Sequence, residues 1–313
     1  MGKRVFRVHP LIKLNPYITR NLLLALSLFA AVSTLGPTPA NACDVVVVKS
    51  ADLKPYRDAL RGFKDASSCG VSEAELNDDH DLDKIRKKRP DVVLAVGTTA
   101  FQKLRMLDDV PVVYIMVVLS EADRALPSNV SGVSMEIAPA AYLAAMKQVF
   151  PAAKRVGLLY DPRNMRTFVG EASREAAAAG LELSNRQVPD PAGLAAALSS
   201  MRDAIDILWI LPDPTVVTPE TIDYLLRFSI QHNIPLFAFS KKYIEMGAIA
   251  SLDVDPYDMG AQAADIANAV VAGGKGAVRV YARKPRLSIN RKAANKMGVR
   301  IDRESARRVE HAD

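Results

Sequence analysis

The amino-acid sequence predicts an α/β protein with two lobes, each built around a doubly wound parallel sheet. Apolar strands and helices alternate along two successive arrays of about 100 residues, which begin near Asp44 and near Arg155. This order is typical of parallel sheets covered by helices. The composition agrees, because 49% of the 313 residues are apolar and 24% are charged. Such a chain is globular and long enough for two domains, which excludes a disordered or multi-span membrane protein.

The first array is recognised by short β-branched runs separated by helical patterns. The runs are typical of strands buried on both faces, and Tyr56, Leu60 and Phe63 have helical spacing. The predicted strands are Asp44–Ser50, Val71–Asn77, Asp91–Val96, Val112–Val118 and Val130–Ile137. The predicted helices are Lys54–Ala66, Leu82–Lys88, a helix from the Gly97-Thr98-Thr99 turn to about Leu107, and Ala140–Phe150. Pro139 opens the last helix at a position where proline is favoured.

The second array repeats the pattern and is followed by a C-terminal extension. The predicted strands are Arg155–Tyr160, Leu181–Val188, Ile205–Leu211 and Ile234–Phe239. The predicted helices are Met165–Ala179, Pro191–Arg202 and Pro219–His232. Asp255 caps a further helix that runs to Val271, and an extended stretch, Val278–Asn290, precedes a short helix near Arg291–Met297. These last elements must return to earlier ones.

The N-terminus predicts export. Basic residues between Lys3 and Arg20 precede the apolar run Leu22–Val32, and a short stretch then ends in Ala40-Asn41-Ala42. A membrane-spanning helix needs about 20 apolar residues, so this run is too short to cross. The pattern is that of a secretory signal peptide, residues 1–42, cut after Ala42. We expect a mature periplasmic protein that begins at Cys43.

Cys43 leaves two alternatives open. A lipid anchor needs a large aliphatic residue three positions earlier, where this chain has Ala40, so simple cleavage is favoured over lipidation. Cys43 and Cys69 would then be the only cysteine pair in an oxidising compartment. A disulfide between them is possible if their Cα atoms come within about 7 Å.

Charge and motifs exclude several functions. Residues 43–274 carry 24 basic and 31 acidic residues, and the excess of positive charge lies in residues 1–42 and 275–313. A folded body with an acidic balance argues against nucleic-acid binding. The four histidines lie far apart in the sequence: His9, His80, His232 and His311. Neither a metal-ligand spacing nor a nucleophile–base–acid set can be assembled, so we predict no metal, no cofactor and no catalysis.

Polar loops follow most of the predicted strands. In open α/β sheets, ligands bind at the carboxyl ends of the strands, and two facing lobes would bring both sets of loops to one cleft. The loops are Lys49-Ser50-Ala51, Gly97-Thr98-Thr99, Asp161-Pro162, Leu211-Pro212-Asp213 and Ser240-Lys241. The sequence therefore predicts a small-molecule site between the lobes.

Most of the mature chain resembles one family. The segments VLAVGTTAFQKL, VPVVYIMVV, VSGVSMEI, RVGLLYDPRN, ILPDPTVVTPE, IPLFAFSKKYIEMGAIASLDVDPYDMGAQAA and RLSINRKAANKMGVRI occur in the order found in tryptophan/tyrosine-type substrate-binding proteins of ABC transporters. The resemblance covers about 44–302. It implies the type I periplasmic-binding fold, with crossovers at Val133–Ile137, at Ile249–Val254 and around Pro285–Asn290. The N-terminal lobe would hold 43–136 and about 253–284, and the C-terminal lobe 137–252 and about 285–313.

The resemblance also implies a function. The protein would be the extracytoplasmic component of an ABC importer, a monomer that closes on a small ligand and delivers it to a membrane permease and ATPase. The alternative is a periplasmic sensor that signals to a membrane receptor. The chain departs from the family at Val118-Leu119-Ser120-Glu121, where an Asp-Pro is usual, and at Ser240-Lys241-Lys242. Both places would face the cleft.

The expected ligand contacts are divided between the lobes. In the N-terminal lobe, Gly97, Thr98 and Thr99 would bind a carboxylate at a helix N-terminus, assisted by Lys49 and Ser50. The threonines have an equal alternative role as helix caps. In the C-terminal lobe the expected contacts are Tyr160 as an apolar wall, Asp213 as a partner for an ammonium group and Ser240 as a hydroxyl. Asp213 has the alternative role of a cap, and this division favours an amino-acid-like ligand.

Overall fold

A computed structural model describes residues 43–76, 81–119, 125–274, 277–299, 301 and 310–311. The signal peptide predicted for residues 1–42 lies outside the described residues. Two sheets with alternating helices confirm the predicted α/β class. Among the helices formed by the described residues, none has the length and apolarity that a membrane crossing needs.

Strands and helices are numbered along the chain. The strands are β1 (Asp44–Lys49), β2 (Gly70–Ala74), β3 (Val92–Val96), β4 (Val112–Ile115), β5 (Val130–Ser134), β6 (Arg155–Tyr160), β7 (Glu182–Gln187), β8 (Ile207–Trp209), β9 (Leu236–Ala238), β10 (Ala250–Asp253), β11 (Arg279–Tyr281), β12 (Arg286–Ile289) and β13 (Glu310–His311). The α-helices are α1 (Lys54–Ala66), α2 (Asp81–Lys88), α3 (Thr98–Leu104), α4 (Pro139–Val149), α5 (Pro162–Ala178), α6 (Leu194–Met201), α7 (Pro219–Gln231), α8 (Lys241–Met246), α9 (Pro256–Val271) and α10 (Arg291–Lys296). Single 3₁₀ turns flank α6 at Pro191–Gly193 and Arg202–Ala204.

The first sheet has the strand order β11-β5-β4-β3-β1-β2, and each neighbouring pair is parallel. Its central strands are apolar because both faces are covered. Along β1, Val45 and Val47 point into one core and Val46 and Val48 point into the core on the opposite face. The period of two in side-chain direction therefore fills two cores from one run of valines.

The second sheet has the order β13-β12-β10-β9-β8-β6-β7. Along β8, Ile207 and Trp209 face the core shared with α4 and α5, and Leu208 faces the core shared with α6 and α7. The sheet is parallel except at β10 and β12, which are antiparallel, with Ala250 opposite Ile289. The predicted doubly wound parallel sheet is therefore joined at this edge by one antiparallel pair. The chain leaves the sheet after β10 and re-enters through β12 from the same end, so the two strands run in opposite directions.

The chain passes between the sheets three times. It leaves the first sheet after β5, returns after β10, and leaves again between β11 and β12. The extended stretch predicted as one element, Val278–Asn290, is thus divided between two sheets. Side chains also join the lobes near these passages, because Tyr281 of β11 donates a hydrogen bond to Glu171 of α5.

Helices α1 and α9, about 200 residues apart in sequence, cross with their backbones in close contact. A Cβ atom built on Gly62 would lie 1.9 Å from the carbonyl oxygen of Tyr257, and one on Gly260 would lie 1.8 Å from that of Ala59. Only glycine leaves room for this approach. The crossing holds the helix that follows β10 against the first sheet.

A disulfide joins Cys43 and Cys69, whose Cα atoms are 4.8 Å apart. The two cysteines immediately precede β1 and β2, which are adjacent and parallel in the sheet. The bond therefore links the starts of two paired strands across a sequence separation of 26 residues. Closing a loop of this size constrains the unfolded chain and is expected to contribute about 3 kcal/mol to the free energy of unfolding.

We predict that Gly260→Ala lowers the free energy of unfolding by about 3 kcal/mol, because the added methyl group overlaps a backbone oxygen. Gly170→Ala is the matched control. Gly170 also lies within a helix, but its added Cβ would meet no atom within 4 Å, so the change should raise stability by up to about 1 kcal/mol. Urea denaturation followed by circular dichroism measures both, and equal effects would contradict the steric account of the crossing.

Candidate ligand-binding cleft

A cavity of about 440 Å³ lies where the carboxyl ends of the two sheets meet the crossovers. The first sheet contributes residues that follow β4 and β5, and the second contributes residues that follow β6, β8, β9 and β10. The lining residues are Val117, Val118, Leu119, Ser134, Met135, Glu136, Ile137, Tyr142, Asn164, Met165, Pro212, Pro214, Phe239, Ser240, Asp253 and Val254. The volume lies within the range of about 300–1,000 Å³ that small-molecule sites occupy.

Most of the cavity wall is apolar, and an aromatic cluster supports it. The ring of Tyr142 packs 5.0 Å from the ring of Trp209, and Phe168 and Phe237 surround the pair edge-on. Burial raises the pKa of the Tyr142 phenol above its ordinary value, and the carboxylates of Asp253 and Glu136 add to the rise. The hydroxyl therefore keeps its proton. This wall suits a ligand with an apolar body.

Glu136 brings a carboxylate to the crossover that follows β5. Its Oε2 atom lies 2.7 Å from Nη2 of Arg279 on β11. Ser134 lies beside it, because its Oγ accepts a hydrogen bond from the Glu136 amide at 3.0 Å. The Glu136 side chain is only 12% exposed, so its charge is largely removed from water. The ion pair with Arg279 offsets part of this desolvation cost.

Asp253 brings a second carboxylate, at the end of β10 where the chain crosses back. The Lys241 amide donates to its Oδ1 at 2.6 Å, and the Ser251 hydroxyl donates to its Oδ2 at 2.8 Å. Burial raises the pKa of Asp253 above the ordinary range despite these donors. The described lining contains no lysine or arginine, so the cavity has an acidic character.

Asn164, near the start of α5, lines the cavity. On the side away from the cavity, its side chain is hydrogen-bonded to a network of polar groups. Its Nδ2 atom donates to Asp213 at 2.9 Å and to Thr215 at 3.1 Å. Asp161, the N-cap of α5, is also in the network, because Thr215 donates to it at 2.8 Å. The Arg163 guanidinium, with additional donors, lowers the pKa of Asp161 to about 2.

The residues predicted for the N-terminal lobe are not among those that line the cavity. Lys49 pairs with Glu73 at 2.9 Å. Ser50 accepts a hydrogen bond from the Ala100 amide at 2.8 Å and so satisfies a donor at the start of α3. Thr98 and Thr99 are exposed in the first turn of that helix, and Gly97 precedes them with a φ of 93°.

In the second lobe, the structure brings Ser240 to the cavity and places the two other predicted residues elsewhere. Ser240 lines the cavity and its Oγ accepts a hydrogen bond from the Lys242 amide. Tyr160 is buried in the core, and its hydroxyl accepts a hydrogen bond from Gln187. Asp213 is 1% exposed, and its carboxylate accepts hydrogen bonds from the Asp161 amide and from the Thr215 amide of its own turn. Asp213 is therefore not placed to pair with a ligand ammonium, because it is buried and its carboxylate already accepts four hydrogen bonds.

Sequence reasoning missed Glu136, Asp253 and Asn164 as site residues. A signal for the two acids was present, since each is the one charged residue in an apolar crossover segment, VSMEI or IASLDV. A charge inside such a run has to be explained by pairing or by function. Asn164 had no such signal, because an asparagine near the start of a helix is ordinarily a cap or a surface residue.

The geometry is that of a two-lobed binding protein: two doubly wound sheets, three crossovers and a cavity between the carboxyl edges. The chain belongs to the ABC transporter substrate binding protein family, whose sequence model matches residues 62–310. Members of this class bind small ligands, and the family and the structural neighbours are binding proteins rather than enzymes. The described residues hold no group of three His, Cys, Asp or Glu side chains placed to bind a metal ion.

Individual relatives are distant in sequence. The tyrosine-binding protein of Clostridioides difficile (strain R20291) is 23% identical over 239 residues, covering 72% of this chain and 68% of that protein. A ligand-free, open substrate-binding protein with adhesive properties from Clostridium difficile has a TM-score of 0.67 and 16% identity, covering 87% of this chain and 99% of the other. An ABC domain in complex with L-Trp from Streptococcus pneumonia has a TM-score of 0.56 and 20% identity, covering 85% and 99%. These likenesses show the fold.

We predict that Asp161→Asn lowers the free energy of unfolding by about 2–3 kcal/mol at pH 7, because it removes the ionised acceptor that pairs with Arg163 and caps α5. The pKa of Asp161 is about 2 in the folded protein and about 3.9 in an unfolded chain. Its contribution is therefore present above pH 4 and is lost as the pH falls towards 2. Urea denaturation between pH 2 and pH 7 should show the gap between wild type and variant closing on acidification. Asp223→Asn, at an exposed site on α7, should change stability at pH 7 by less than about 0.5 kcal/mol.

Proposed function

We propose that the protein is the extracytoplasmic binding component of an ABC importer, which closes its lobes on a small amino-acid-like ligand and delivers it to a membrane permease. The observation that carries the proposal is the cavity itself, because its lining comes from both sheets and from the crossovers between them. A ligand in that position contacts both lobes at once only when they are closed. Binding therefore favours the closed state by population shift.

The ligand chemistry follows from the lining. Mostly apolar walls suit an aliphatic or aromatic body, and the carboxylates of Glu136 and Asp253 suit an ammonium group. The tyrosine-binding relative and the L-Trp complex support the same ligand class. A ligand carboxylate would be bound by the Gly97–Thr99 turn, whose threonines are exposed at the start of α3. That turn follows β3, the neighbour of β4, whose end leads into the cavity.

Export is supported by three features. The first 42 residues have the pattern of a signal peptide, and proteins of this family are extracytoplasmic. The disulfide of Cys43 suits an oxidising compartment. A sulfur in a disulfide cannot also carry a thioether-linked lipid, so the disulfide supports release into the periplasm over an anchor at Cys43. Mass spectrometry of the exported protein tests this, since an acylated Cys43 would contradict it.

Transport and sensing make different demands on the closed protein. We expect the ligand-bound protein, as a monomer, to stimulate ATP hydrolysis by its permease and ATPase in proteoliposomes. Stimulation that needs both protein and ligand would support the importer. Ligand-dependent binding to a receptor, without stimulation of any transporter ATPase, would instead favour the periplasmic sensor.

We predict that ligand binding compacts the protein and changes the emission of Trp209, the single tryptophan of the chain. The ring of Trp209 lies 5.0 Å from that of the cavity-lining Tyr142, so a ligand in the cavity alters its surroundings. Titration with L-tyrosine, L-phenylalanine, L-leucine and phenethylamine, followed by fluorescence and small-angle scattering, measures both effects. Folded protein that responds to no member of this panel would contradict the ligand class.

We predict that Asp253→Asn weakens binding of a cationic ligand at least tenfold, because the ligand loses a desolvated charge partner. Burial raises the pKa of Asp253, and only the ionised form attracts an ammonium group. Wild-type affinity for phenethylamine should therefore rise as the pH increases from 4 to 7, and the rise should be smaller in the variant. Calorimetry at several pH values measures both. An identical pH profile in the variant would transfer the charge role to Glu136.

A further inference from the structure

The side-chain amide of Asn164 is held in one orientation by the groups behind it. Its Nδ2 atom lies 2.9 Å from Oδ1 of Asp213. A carboxylate oxygen only accepts, so the amide nitrogen must face Asp213. The reversed orientation would place the amide oxygen against a carboxylate oxygen. Asp213 cannot turn away to relieve this, since it is buried and also accepts bonds from the Asp161 and Thr215 amides.

A second contact fixes the same orientation. The other Nδ2 hydrogen of Asn164 points to Oγ1 of Thr215 at 3.1 Å. The hydroxyl of Thr215 has one hydrogen, and it is donated to Oδ2 of Asp161 at 2.8 Å. Asp161 is ion-paired with Arg163 and is a carboxylate at neutral pH. Thr215 therefore accepts from Asn164, and both amide hydrogens are used behind the cavity wall.

The carbonyl oxygen, Oδ1, is therefore the polar atom that Asn164 can offer to the cavity it lines. No hydrogen bond to Oδ1 is formed within the described part of the chain. A preorganised acceptor of this kind has a specific effect. It strengthens a ligand that brings an N–H group to it and penalises a ligand that leaves it unpaired once the lobes exclude water.

We propose that Asn164 is a specificity residue of the cleft, with a fixed carbonyl acceptor that selects ligands carrying an ammonium N–H and rejects those of equal charge that lack one. Asp213 and Thr215 are its positioning residues. The proposal rests on the ligand-binding function proposed above and adds a selectivity that the carboxylates cannot provide, because Glu136 and Asp253 attract any cation. It also gives Asp213 an effect on binding that does not depend on contact with the ligand.

The test compares two cations of the same charge, phenethylamine and its N,N,N-trimethyl analogue, which has no N–H donor. Dissociation constants are measured by calorimetry for wild type, Asn164→Leu and Thr215→Val. Leucine is close to asparagine in size and removes the acceptor. Valine is close to threonine in size and removes one of the two bonds that orient the amide. Comparing ratios between variants cancels the size difference between the two ligands.

We expect wild type to prefer the primary ammonium at least tenfold. Asn164→Leu should lose most of this preference by weakening the primary ammonium about tenfold, with the trimethyl analogue changed less than about twofold. Thr215→Val should lose part of it. Thermal unfolding of each variant separates folding from recognition, because a purely structural role as part of a helix cap would weaken both ligands equally.

The outcomes distinguish the proposals. An unchanged preference in folded Asn164→Leu, or an equal loss for both ligands, overturns the role of Asn164 and leaves the binding function standing. If Asn164→Leu does not fold, Thr215→Val alone decides, since an unaltered preference there overturns the fixed orientation. Binding of neither cation by wild type, together with no response to the amino acids tested above, overturns the proposed function and this assignment with it.

Discussion

The close crossing of α1 and α9 at Gly62 and Gly260 determines how the two lobes are connected. It holds a helix from the last quarter of the chain against the first sheet, so the chain must cross from the second sheet to the first and back again. Three crossovers result, and two of them carry the acids of the cavity. A larger residue at either glycine would separate the two helices and weaken the packing of α9 against the first sheet, from which the crossovers start.

The cavity contains two carboxylates whose burial lowers the stability of the fold, and neighbouring donors that offset part of this cost. Glu136 and Asp253 are carboxylates in an apolar wall, which is unfavourable unless they are paired or hydrogen-bonded. Arg279 pairs with the first, and donors from Lys241 and Ser251 contact the second. The compensation of Asp253 is incomplete, as its raised pKa shows. A buried carboxyl group with a raised pKa, at a point where the chain crosses between lobes, is typical of a functional site.

In the role proposed for Asn164, Asp213 and Thr215 would control a ligand contact without touching the ligand themselves. The sequence predicted that Asp213 would pair with a ligand ammonium group. In the structure its carboxylate instead accepts hydrogen bonds from backbone amides and from the Asn164 side chain. Loss of Asp213 would disturb the turn that orients Asn164, so a binding defect would follow from either role. The two roles differ in whether the ligand charge or the ligand hydrogen-bond donor is affected.

The fold class and most of the secondary-structure elements could be predicted from the sequence alone. Valine-rich runs define buried strands, and the predicted bounds of α1, β6 and α9 are those observed, because proline, aspartate and helical spacing mark helix limits locally. The family followed from the order of short motifs. The set of polar groups that share the cavity became known only from the folded structure. Ser240 reaches it and Asp213 does not, because burial and hydrogen-bond partners depend on residues some 50 positions away. The antiparallel pairing of β12 and the fixed orientation of the Asn164 amide could not be predicted for the same reason. Both depend on contacts between segments that are distant in the sequence.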